Sequence, residues 1–145
     1  MRLLALSLFF ALTACAGVNK TNISCEDCFE VQVIRVIDGG TLDTSRGVVR
    51  LYGVDTPEGG QPCASESTKR LRELAGDTIR LEVGTRTIDQ YGRMLAYVYS
   101  QDGISIDEVL IREGMTEAWT RDGQHRDYLV GLEQDAKRQE AGCLW

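Results

Sequence analysis

The chain reads as an α+β, mainly β fold, a five-stranded barrel of the OB type with three helices packed against it. Three observations predict this. Five short runs rich in β-branched and aromatic residues are each bounded by glycine-containing or polar turns. Three segments carry helical periodicity or cap signals, one between the third and fourth strands and two after the fifth. The length, 145 residues, leaves room for a single modest hydrophobic core.

The elements follow in order. Residues 30–38 (EVQVIRVID) form a strand that stops at Asp38-Gly39-Gly40. Residues 41–44 and 48–54, separated by Ser45-Arg46-Gly47, form a hairpin with a short loop. The turn-rich stretch 56–62 precedes a helix over 65–75, stopped by Gly76. Strands over 79–83 and 94–100 are joined by a long polar connection, 84–93. Ser105-Ile106-Asp107-Glu108 has the S-x-x-E pattern of a capping box and opens a helix that ends at Gly114. Tyr128, Leu132 and Ala136, with Leu129 beside them, line one face of a last helix over 126–140, and Cys143, Leu144 and Trp145 are expected to clamp it down.

Residues 1–14 (MRLLALSLFFALTA) place Arg2 before an apolar run too short to span a bilayer, which is the pattern of an export signal. Leu12-Thr13-Ala14-Cys15 resembles a bacterial lipobox, in which Cys15 takes the lipid and becomes the mature N-terminus. The plainer alternative is a cleaved signal with Cys15 incidental. A diacylated cysteine anchors durably because more than one chain is buried. The expected organisation is a signal peptide over 1–14, a polar tether over 15–29 and one folded domain over 30–145. The expected location is the bacterial cell envelope, lipid-anchored on the periplasmic, outer-membrane or extracellular side, as a monomer.

Loss of the leader removes one basic residue, Arg2, and takes the formal charge from −6 to −7. A charge-driven, general grip on nucleic acid is thereby disfavoured, and any such binding must rest on a local group of arginines. Besides Cys15, four cysteines remain for an oxidising compartment. They allow three pairings. The two-residue gap favours Cys25 with Cys28, leaving Cys63 with Cys143, and a zinc site is disfavoured because there is only one short-spaced pair.

Three segments combine charge with turn geometry: Asp38-Gly39-Gly40-Thr41, the stretch from Arg50 to Glu58 (RLYGVDTPE), and Asp89-Gln90-Tyr91-Gly92-Arg93. Arg50 lies within a strand, while Asp55 and Glu58 follow at its end, where a turn can bring both carboxylates to one point. Arginine suits a phosphate because its planar fork donates two hydrogen bonds at once. A carboxylate-held cation neutralises charge, and a further carboxylate can orient the attacking water. Taken singly, each segment also reads as a strand-end turn or a surface ion pair.

Together, V-R-L-Y-G-V-D-T-P-E and D-Q-Y-G-R resemble the staphylococcal nuclease (thermonuclease) family, with a likeness running over 30–145. By position, the resemblance implies Arg50 and Arg93 as phosphate-clamping arginines and Glu58 as the base that orients water. It implies Asp55 and the Thr56 carbonyl as Ca2+ ligands and Tyr91 as a phosphate or nucleotide contact. It further implies an endonuclease that hydrolyses DNA and RNA with Ca2+. Where the family reads D-G-D-T this chain has Gly40, so one metal carboxylate is missing, and Asp38 is the candidate to replace it. Trp119 stands where the family presents an aromatic ring to a base, or else serves as a core residue. His125, the lone histidine, is expected to be solvated. The leading alternative is a catalytically impaired nucleic-acid- or nucleotide-binding module, and a third reading is a structural scaffold.

Overall fold

A computed structural model describes residues 20–145. Cys15 and the expected lipobox and signal peptide lie outside the described residues. The barrel is closed in the order β1 (Phe29–Asp38), β2 (Thr41–Thr44), β3 (Gly47–Leu51), β6 (Met94–Ser100), β5 (Thr78–Ile88). All neighbours are antiparallel except β3 and β6, which run parallel. Register shifts in β1, between Val33 and Arg35 and again between Val36 and Asp38, let so small a sheet curl shut. Leu42, Val49, Leu51, Ile79, Leu81, Ala96 and Val98 are buried in the core. The helices α1 (Ala64–Ala75), α2 (Ile106–Arg112) and α3 (Arg126–Arg138) bury Leu71, Leu110 and Leu129.

Three strand boundaries differ from the sequence reading. The strand expected over 48–54 breaks at Tyr52-Gly53 into β3 and the two-residue β4 (Val54–Asp55), which pairs with β7 (Glu117–Ala118). The break has a cause: the Gly53 N–H leaves the barrel ladder and donates to Asp107 Oδ1 at 2.8 Å. A Cβ on Gly53 would lie 2.5 Å from Leu129 Cδ1 and 2.8 Å from Asp107 Oδ1, so only glycine fits this elbow. Half of the connection expected over 84–93 is strand, since β5 continues to Ile88 and only a tight turn at 89–93 remains. Neither β7 nor the β5 extension carries the apolar alternation that marks a half-buried strand.

The capping box at α2 is half formed. Ser105 accepts from the Glu108 N–H at 3.3 Å, as expected. Glu108 does not reach back. Its fully buried carboxylate instead accepts from the backbone N–H groups of Asn22 and Ile23 and from the Tyr128 hydroxyl at 2.7 Å. The vacated Ser105 N–H donates to Thr21 Oγ1 at 3.0 Å. Part of the segment read as tether is therefore packed on α2 and α3, with Ile23 buried, and the body begins well before residue 30.

Both disulfides form in the favoured pairing, Cys25–Cys28 and Cys63–Cys143. The second ties the start of α1 to the chain's last residues across a sequence separation of 80. Leu144 N–H donates to the Gly114 carbonyl and Lys137 lies over the Trp145 ring, completing the expected clamp.

Candidate functional site

One open cavity of about 560 Å³ lies where β3, β4, the turn after β4 and the β5–β6 turn meet. Arg50, Asp55, Thr56, Glu58, Arg93, Asp38, Tyr91 and Trp119 all line it, so the three sequence segments do converge. Local structure explains why. Arg50 and Leu51 pair with Leu95 and Ala96 of the parallel neighbour β6, which puts Arg50 next to the turn that ends in Arg93. The Gly53 elbow then swings Asp55 and Glu58 back toward the same opening.

Arg50 is held from behind. Its Nη1 donates to the carbonyls of Gly40 at 3.1 Å and Leu51 at 2.9 Å, and its Nη2 to that of Val54 at 2.9 Å. These bonds fix the fork while leaving other N–H groups unspent. Burial pushes its pKa below the usual value, opposed by Asp38, while the nearby charge of Arg93 acts with burial. Arg93 Nε donates to Asp89 Oδ2 at 2.6 Å, and its guanidinium lies 5.2 Å from the centre of the exposed Tyr91 ring. Against the cost of burial, bonds from the Arg93 backbone and side chain and from the Tyr91 N–H hold the Asp89 carboxyl below its usual value. No ion pair joins Arg50 to Glu58 among the described residues.

Gly40 is explained by what surrounds it. A Cβ there would lie 2.2 Å from Thr56 Oγ1 and 2.4 Å from Arg50 Nη1, so the volume of an aspartate is already occupied by the two side chains. Asp38 Oδ1 accepts from the Gly40 N–H at 2.8 Å, which aims the carboxylate across the turn at the cavity it lines. For a divalent cation, Asp38, Asp55 and Thr56 supply hard oxygen donors on one cavity. Among the described residues no three acidic, histidine or cysteine side chains converge. Calcium takes six to eight oxygens, so this donor set fits an ion that draws most of its shell from water and from substrate phosphate.

Four residues that sequence reasoning did not single out complete the site. Asp107 is fully buried, accepts from Gly53 N–H and from Val98 N–H at 2.9 Å, and burial raises its pKa to about 6. On the cavity itself lie Arg86, Arg121 and Asp122. Arg86 donates in a fork to Asp122 at 2.7 and 3.2 Å, and Trp119 Nε1 donates to the same carboxylate at 2.7 Å. The Arg86 bond, then that of Trp119, brings the Asp122 pKa down to about 2. The pairing of β4 with β7 is what carries Trp119 to the cavity. The only sequence signal was the charged turn at 120–123, too common to interpret alone. His125, expected to be solvated, is instead half-buried against the Tyr97 ring, with Nε2 at 3.1 Å from Glu82.

The chain matches the family model for staphylococcal nuclease homologues over residues 48–145. It is 34% identical over 119 residues to an uncharacterized endonuclease of Escherichia coli, covering 79% of this chain and 75% of that protein. A micrococcal nuclease of Shigella flexneri is 34% identical over 134 residues, covering 81% of this chain and 74% of the relative. A thermonuclease of Staphylococcus hyicus is 37% identical over 116 residues, 71% of this chain and 64% of the relative. With the barrel, the arginine-lined cavity and these likenesses together, the chain belongs to the family of staphylococcal nuclease homologues.

Proposed function

We propose that this protein is an exported endonuclease, held at the bacterial envelope through Cys15, that hydrolyses phosphodiester bonds of DNA or RNA in a Ca2+-dependent reaction. The observation that carries the catalytic part is the meeting of Arg50, Arg93, Asp55 and Glu58 on one open cavity. The relatives, named as endonuclease and nucleases, support the same chemistry. The lipobox-like residues 12–15 support the anchor.

In this reading the two guanidinium groups hold the non-bridging oxygens of the scissile phosphate and stabilise the charge that builds as the phosphorus becomes five-coordinate. Glu58 accepts the proton of the attacking water, or orients it by hydrogen bonding, from the turn that follows Asp55. Asp38, Asp55 and the Thr56 carbonyl would hold Ca2+, which would supply charge neutralisation for the phosphate in the cavity. Tyr91 and Trp119 contact the flanking nucleotide.

The test is cleavage of single-stranded DNA by the folded domain, with Ca2+ or with EDTA. Metal-dependent cleavage that falls about a hundredfold or more in Glu58→Ala, with retained DNA binding, is expected. Binding without any cleavage by the unmodified protein would overturn the enzyme and leave a nucleic-acid-binding barrel. For the anchor, labelling with a radioactive fatty acid in cells should mark the protein and not a Cys15→Ser variant.

A further inference from the structure

The turn that carries Glu58 is secured at few points. Residues 58–62 are all exposed, and the bonds from the Glu58 N–H to Gln61 Oε1 at 2.8 Å and from the Gln61 N–H to the Glu58 carbonyl at 2.9 Å stay inside the turn. Among the described residues, no hydrogen bond or ion pair ties 58–62 to any element other than α1, which it meets through the Ala64 N–H and the Gln61 carbonyl. Glu58 is therefore only as well placed as the start of α1. That start lacks the usual device: Cys63, the N-cap residue, makes no side-chain capping bond and sits in the left-handed region at φ 74°. A residue other than glycine keeps such a conformation only where its surroundings impose it, and the bond to Cys143 does so here.

Cys143 is a fixed post. Gly114 and Gly142 both have positive φ, and a Cβ on them would run into the carbonyls of Ala141 and Glu113 respectively, so the end of the chain and the corner after α2 meet backbone to backbone. The Leu144 N–H donates to the Gly114 carbonyl at 3.1 Å. Arg70, in the body of α1, forks onto Glu113 at 2.6 and 2.7 Å and holds the helix to the same corner without help from the bridge. Opening the bridge thus leaves α1 in place and frees its first residue and the turn before it.

We propose that the Cys63–Cys143 bridge positions Glu58, so that hydrolysis is switched on when these two thiols are oxidised and is held low while they are reduced. Cys63 and Cys143 are then positioning residues, acting through the turn that joins β4 to α1. The proposal rests on the phosphodiesterase reading of the cavity, with Glu58 as its base. Its consequence is that the chain inside a reducing compartment, before export, is a poor nuclease.

Closing the bridge takes two electrons and two protons from the thiols, and a disulfide oxidant accepts them and becomes a dithiol. Opening starts at the exposed end, since Cys143 is exposed and Cys63 buried. A thiolate of a dithiol reductant attacks the Cys143 sulfur and expels Cys63 as thiolate. The second thiol of the reductant then displaces Cys143 as the reductant closes to its own disulfide. A base must stay within hydrogen-bond reach of the water it orients, and a drift of about 1 Å can cost about a hundredfold in rate. Arg50 and Arg93 stand on other elements, so substrate binding does not depend on the turn.

The test measures Ca2+-dependent cleavage of a fluorescent oligothymidylate by the exported chain when oxidised, after dithiothreitol, and after reoxidation with glutathione disulfide, well below the Tm of the reduced form. On reduction kcat should fall roughly ten- to a hundredfold while KM stays within about twofold, and reoxidation should restore it. Cys63→Ser with Cys143→Ser should match the reduced protein and ignore dithiothreitol, whereas Cys25→Ser with Cys28→Ser should respond as the native chain does. In Glu58→Ala the residual rate should be the same in both forms, because the group that the bridge positions is gone. Amide exchange at Glu58 and Gln61 should quicken about tenfold or more on reduction, with Leu71 unchanged.

Equal kcat in the two forms would overturn the proposal. So would the same proportional loss in Glu58→Ala, since a bridge that only stiffens the fold slows every variant alike. If the oxidised chain cleaves nothing, the nuclease reading falls and amide exchange alone decides the positioning: quickening confined to the turn keeps it, and unchanged or global exchange removes it.

Discussion

At Gly40 the missing side chain and the arginine seat are one feature. The Gly40 carbonyl accepts from Arg50 while its α-carbon faces Arg50 Nη1 and Thr56 Oγ1, so the position seats the arginine proposed as a phosphate clamp. Gly40→Asp, which would add the carboxylate that the resemblance leads one to expect at this position, is therefore expected to lower kcat by displacing Arg50 from its three carbonyls, even if Ca2+ binds more tightly. Turnover and calcium calorimetry on the one variant check this, and higher kcat would show that Arg50 can re-seat. Asp107 makes a different prediction. Burial raises its pKa from 3.8 to about 6, so folding disfavours its ionised form. Its contribution to stability is fully present below about pH 3.8 and lost as pH rises through about 6. Unfolding free energies of the native protein minus those of Asp107→Asn should fall by roughly 2 to 3 kcal/mol between those limits. A flat difference in urea titrations would refute the assignment.

Among the elements, α2 organises more than its length suggests. Asp107 holds the β3–β4 elbow from within the core, and Glu108 holds the N-terminal segment on the outside. Glu108→Ala would leave the Asn22 and Ile23 N–H groups and Arg112 without their carboxylate, at a cost of about 3 to 5 kcal/mol. The same variant should lose amide-exchange protection at Asn22 and Ile23 before the barrel loses any. Retained protection there would show that packing of Ile23, and not the carboxylate, secures the segment. Helix α2 was legible because Ser105 and Glu108 form a local pattern. The redirection of Glu108 was not, since its partners lie 85 and 86 residues away.

For the molecule as a whole, the Cys63–Cys143 bridge closes the barrel's helical side by joining the start of α1 to the C-terminus. In the chain-entropy description, closing a loop of that length stabilises the fold by up to about 4.5 kcal/mol, against about 2 kcal/mol for the short Cys25–Cys28 loop. Thermal unfolding of Cys63→Ser with Cys143→Ser should therefore show the larger drop in Tm, and equal drops for the two pairs would count against this account.

Sequence alone determined the order of the five barrel strands and the three helices, the favoured cysteine pairing, and the three charged turn segments that meet at the cavity. These are legible because turn residues, caps and β-branched runs act over a few neighbours. Tertiary structure decided the Gly53 elbow, the filling of the Gly40 space by Arg50 and Thr56, and the wall of Arg86, Trp119, Arg121 and Asp122. Each depends on strands brought together from distant parts of the chain, and no local pattern records which side chain will occupy the gap a neighbour leaves.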